Sequence, residues 1–160
     1  MKLINKDEYT LEDIKKISDF RKAIMLFEEK IVNTPGSYGD PKNPGQDKIA
    51  NQINPLKHTF IDGLYIREIF MPKDQLVTTG IHKKEHAFFI QKGIVSVLTE
   101  NGVEKIEAPY HGITKPGTKR AIYIHEDTTW ITVHATKKKT VKTVLKEIIA
   151  KDFNDPKISI

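Results

Sequence analysis

No cysteine occurs among the 160 residues, so disulfides and thiolate metal ligation are both excluded. That suits synthesis in a reducing cytosol, and equally a particle assembled there and released later. No apolar run reaches the roughly 20 residues needed to cross a bilayer. The stretch from Met1 to Glu8 has no signal-peptide core, so a soluble protein without a membrane partner is expected. Also missing are the GxGxxG, P-loop and GxSxG patterns, which leaves phosphate cradling and serine hydrolysis without a motif. Charge is present but scattered. The net charge of +5 comes from dispersed lysines, and the longest basic run, Lys137-Lys138-Lys139, carries no interleaved aromatics. It reads as a solvated strand-to-helix junction, and nucleic acid is not expected as a partner.

What is there begins with a helix. Thr10 is placed to cap residues 10–32, with Asp13 as its capping-box partner. Leu11, Ile14, Ile17, Phe20, Ile24, Phe27 and Ile31 follow at spacings of three and four, the a/d pattern of a helical seam. The helix either lies on the body of its own chain or packs against a neighbouring subunit. Asn33-Thr34-Pro35-Gly36 stops it, and turn formers dominate the stretch that follows. Residues 33–55 read as an irregular arm, a length uncommon inside a compact domain unless the segment binds something.

From Thr59 the period changes to two. Strands are predicted over 64–71, 75–82, 86–91, 94–99, 103–107, 120–125 and 129–134, with a type I′ hairpin turn at Asn101-Gly102. The Gly- and Pro-rich stretch 109–118 reads as loop. Short strands with frequent turns indicate an all-β sandwich or barrel. Val141, Val144, Leu145, Ile148 and Ile149 form a short amphipathic helix that Thr140 can cap.

Two segments resemble the paired signatures of the cupin superfamily. The first runs from Gly80 through His82 and His86 to Gly93. Set against the family's His-x-His, Glu and Gly pattern, Gly80 stands for the first His, His82 for the second, and His86 for the Glu. The second is Lys115-Pro116-Gly117-Thr118-Lys119-Arg120, with Arg120 in place of the family's His. More narrowly, the string His58-Thr59-Phe60, Gly63 to Arg67, Ile69 to Pro72, Ala108-Pro109, Pro116 to Arg120 and Asp127 to His134 is similar to small cupin-like proteins of tailed bacteriophages. The resemblance implies a mainly β fold: one cupin-type jelly-roll β-barrel over 59–136. Before it lie an N-terminal helical segment (1–33) and an extended arm (34–58), and after it a C-terminal helix and tail (137–160).

Alternation along neighbouring strands brings His82, His86 and His134 towards the barrel mouth, with Arg120 beside them. Three neutral imidazoles suit zinc, or less well iron or nickel. Arg120 cannot lose its proton and opposes a cation, so Arg120 and Lys119 are the candidates for an anion or other ligand. Local hydrogen bonding that closes the barrel end is a third explanation. The cofactor expectation is accordingly none, or one divalent metal. His58, His111 and His125 read as loop residues, and Trp130, Phe88, Phe89 and Tyr65 as core.

Two functions follow as expectations. One is a non-enzymatic structural or binding protein, a homo-oligomer associated with other virion proteins, made in the host cytoplasm and carried in a bacteriophage particle. The other is a metal-dependent enzyme, such as a dioxygenase or sugar isomerase, using His82, His86 and His134 as ligands and Arg120 to orient an anionic substrate.

Overall fold

The computed structural model describes residues 10–39 and 47–158. Helix α1 spans Leu11–Val32 and starts where predicted: Asp13 N–H donates to the Thr10 hydroxyl, and Thr10 N–H donates to the Asp13 carboxylate. Its buried face is Ile17, Ile24 and Glu28, while Leu11, Leu26 and Phe27 stay exposed. The seam is therefore divided, and one stripe lies on the chain's own body. Residues 40–46 of the expected arm lie outside the described residues.

The rest of the arm is more ordered than expected. Asp47 accepts hydrogen bonds from Ile49 and Ala50 N–H and starts a second helix, α2 (Lys48–Ile53). Strand β1 (Leu56–Ile61) then begins three residues before the expected change of period at Thr59. It pairs antiparallel with β2 (Leu64–Met71) in a tight hairpin through Gly63.

The predicted strand 75–82 is broken at Thr79-Gly80. Its first part is β3 (Leu76–Thr78) and its second is β4 (Ile81–His82), which belongs to a different sheet. After β5 (His86–Lys92) and β6 (Ile94–Thr99) comes β7 (Gly102–Glu107). Only Gly102 takes a positive φ at that hairpin, 104°, so the turn is not the expected I′ type, which needs positive φ at two residues. The stretch read as loop holds strand β8 (Tyr110–Thr114). Gly112 sits in it because a Cβ there would come within 2.8 Å of the Phe88 ring across the register. Strands β9 (Ala121–Ile124) and β10 (Thr128–Ala135) complete the barrel, followed by α3 (Val141–Ile148) and β11 (Ile149–Ala150).

The strand orders are β1-β2-β10-β5-β8 in one sheet and β3-β9-β6-β7 in the other, with β11 paired to β4. Every pairing is antiparallel. Leaving β1 aside, two facing four-stranded sheets in this order form a jelly roll of two Greek keys. One end of the interior is apolar, built from Met71, Phe88, Ile90, Val95, Val97, Ile106, Ile122, Ile124 and Trp130. The other end is polar, and α3 closes it: Val144 and Ile148 pack on the fully buried Tyr65. Phe89 is the exception to the expected core. It alternates with His86, Phe88 and Ile90 and points outward. Among the described residues no helix is long and apolar enough to cross a membrane.

Candidate functional site in the barrel lumen

The polar end is assembled from four strands and the residue that precedes a fifth. On β2, Tyr65, Arg67, Ile69 and Met71 share the inward face by alternation. On β10 the inward set is Trp130, Thr132 and His134, and on β5 it is His86 and Phe88. Arg120 precedes β9, and His82 ends β4. The chain bends over residues 83–85, so His82 and His86 are not on one continuous strand. The bend nevertheless leaves their ring centroids 4.5 Å apart, with His134 at 4.1 Å from His86 and 6.3 Å from His82.

These rings are neutral. Burial, then His86, Arg120 and His134, hold His82 well below the ordinary imidazole value. Burial takes His86 down to about 4, with Arg120 adding to it. It takes His134 to about 3, helped by His86 and Arg67. One nitrogen of His86 faces the Lys84 carbonyl, and one of His134 faces the Thr132 hydroxyl. Nδ1 of His82, Nε2 of His86 and Nδ1 of His134 are buried without a hydrogen-bond partner. Buried polar atoms left in this state are uncommon and point to a ligand or a function.

The arginines set the sign of the lumen. Arg120 is 6% exposed, lies over the Phe88 and Trp130 rings, and donates to the Thr114 hydroxyl at 2.8 Å. Burial alone brings it down to about 10, so it is still charged at neutral pH. Arg67 enters from β2, opposite Thr132 of β10. Neither guanidinium forms an ion pair among the described residues. Together with His82, His134, Thr132 and the α3 residues Leu145 and Ile148, they wall a cavity of about 120 Å³ that no acidic residue lines.

A divalent metal does not fit this lumen. The imidazoles are in the neutral state that ligation requires, but two fixed positive charges share their cavity. Among the described residues no three His, Asp or Glu side chains are placed to hold a metal ion. At Gly80, where the resembled family carries a further histidine, an added Cβ would meet Ile149 at 3.1 and 3.2 Å. The side chain that follows α3 occupies that space.

Lys119 is not in the lumen. Its ammonium donates to Glu28 of α1 and, at 2.6 Å, to the Thr79 carbonyl. It ties the helix to the barrel and is paired there, and it is not among the residues that line the cavity. Arg67, by contrast, lines the cavity although no sequence motif marks it as a site residue. The signal was present, since period two places it on the same face as Tyr65, Ile69 and Met71. His58 is a strand residue that bonds the Tyr65 hydroxyl at 2.7 Å. His111 belongs to β8 and lies beside Phe89 with the rings tilted by 36°, while His125 bonds Ser96.

No family model matches the sequence, and no curated protein matches it. Solved structures do. The cupin domain of Schizosaccharomyces pombe Cnp3 is 15% identical, with a TM-score of 0.46 over 65% of this chain and 71% of that one. A Streptococcus pyogenes protein of unknown function is 12% identical, with a TM-score of 0.45 over 66% of this chain and all of its own. A cupin-2 domain protein of Shewanella frigidimarina is 7% identical, with a TM-score of 0.43 over 51% of this chain and 79% of its own. Cupin domains are thus among the structures this chain is similar to. At these scores the fold rests on the strand order itself.

Proposed function

We propose that the protein is a non-enzymatic binding and assembly protein whose barrel holds the carboxylate of a small organic acid. The observation that carries this reading is the lumen itself: Arg67 and Arg120, without an acidic neighbour, wall one cavity with unpartnered histidine nitrogens. An acid would supply the missing countercharge to Arg120 and acceptors or donors to the imidazoles, according to tautomer. Calorimetric titration with acetate, pyruvate and inorganic phosphate tests it. Binding of an acid should weaken by about 10- to 100-fold in Arg120→Met, the usual worth of a charge-assisted hydrogen bond. Elemental analysis of protein grown with added metals tests the competing enzyme. A stoichiometric metal that His82→Ala removes would overturn the reading and restore His82, His86 and His134 as ligands.

Assembly with copies of itself, and with other proteins of a bacteriophage particle, is the second part of the proposal. Leu11, Leu26 and Phe27 on α1 support it, since they are exposed on a helix whose other face is already packed. The particle setting rests on the sequence resemblance. Light scattering that finds only monomer, and a purified particle without the chain, would sink this part.

A further inference from the structure

The end of the lumen where the histidines stand is covered. Tyr65 is fully buried beneath Val144 and Ile148 of α3, which are 0% and 2% exposed, while Leu145, Ile148 and Ile149 form part of the cavity wall. A second cavity, of about 520 Å³, lies between the barrel side, the end of α1 and α2. The two cavities share four wall residues: Arg67, Ile69, Val77 and Thr78. They are therefore adjacent compartments that meet at residues of β2 and of the short edge strand β3. The wall of the outer compartment is mixed: Asp47, Asp74 and Gln75 line part of it, and exposed apolar groups line the rest. Val32, Tyr38 and Leu76 are 50%, 37% and 45% exposed, and all three face it.

Resting on the reading of the lumen as a carboxylate site, we infer that the two cavities are one site. The ligand is an acid with an apolar tail. Its carboxylate lies between Arg67 and Arg120, and its tail passes between β2 and β3 into the compartment under α2. The volumes require this division. The inner cavity of 120 Å³ equals the liquid volume of about four waters, enough for a carboxylate and two or three carbons. A longer chain has to leave sideways, because α3 shuts the other way out. Arg67 stands at the junction and belongs to both compartments, so it can pair with the carboxylate while its own aliphatic stem lines the passage.

Titration of the full chain with acetate, butanoate, hexanoate and octanoate, with octan-1-ol as the acid-free control, tests the inference. Affinity should rise about two- to fourfold for each added methylene, the range between partial and full burial of a CH₂. Octan-1-ol should bind far more weakly than octanoate. Ala50→Trp, which fills the outer compartment from α2, should bring the octanoate-to-acetate affinity ratio down towards one. Leu76→Asp, on the exposed edge of β3, should do the same and guards against misfolding of the first variant. Acetate binding with no gain for longer acids would overturn the tail compartment and leave the lumen site standing. A gain that neither variant reduces, or octan-1-ol binding as tightly as octanoate, would also overturn it. Failure of every acid to bind would remove the lumen reading itself.

Discussion

Arg120 is 6% exposed, holds one hydrogen bond to Thr114, and has no carboxylate beside it. A guanidinium in that setting carries a desolvation cost that packing against Phe88 and Trp130 offsets only in part. Arg120→Met keeps the volume and removes the charge. The variant should be between neutral and about 3 kcal/mol more stable in urea denaturation, while acid binding weakens by about 10- to 100-fold. A large loss of stability would mean that the arginine is structural. Lys119 and Glu28 behave oppositely, because each neutralises the other within the buried contact of α1 with the barrel. Glu28→Gln should cost about 3 to 5 kcal/mol by stranding the ammonium. Glu28→Leu combined with Lys119→Met should recover most of that loss.

At the scale of elements, α3 covers one end of the lumen. Its Thr140 cap, which accepts a hydrogen bond from Thr143 N–H, starts a helix whose apolar stripe becomes the roof of the lumen. Ile148→Ala should cost about 2 to 5 kcal/mol, the usual range for a buried truncation that leaves a cavity. It should also speed amide exchange at Tyr65 and His134 beneath it. The β5–β6 turn is equally specific. Gly93 has φ 104°, and a Cβ there would lie 2.7 Å from Asp127 backbone oxygen and from Thr128 Cα. A side chain at that position would push β10 away from β5, and with it His134 from His86.

For the molecule as a whole, the neutral histidines make stability depend on acid. In the unfolded chain each imidazole titrates near its ordinary value of 6.5, whereas His86 and His134 titrate at about 4 and about 3 when folded. Below pH 6.5 the unfolded state takes up protons that the folded state refuses. Stability is therefore full above that value and falls as pH drops towards 4. The slope approaches about 1.4 kcal/mol per pH unit for each histidine, or about 4 kcal/mol for the pair between pH 7 and pH 5. Urea midpoints measured across that interval check it, and because His82 is also held well below its ordinary value, His134→Gln should flatten the curve by about a third. A midpoint that does not move would show that the rings are charged in the native state.

Local signals alone determined much of this protein: the capping box of α1, the run of β2 from Leu64 to Met71, the break at Gly93 and the amphipathic α3. Each depends on residues a few positions apart, so propensity and periodicity reach them. Strand β8 escaped because its glycine makes sense only opposite Phe88, and α2 because six residues carry too little periodicity to read. The signs of the lysine and arginine roles were also beyond reach. Lys119 and Arg120 are neighbours in sequence, yet one turns out to Glu28, 91 residues away, and the other turns in beneath α3. Only the winding of the two sheets decided that. It placed Arg67 and Arg120, with His82 and His134, around one cavity that no acidic residue lines.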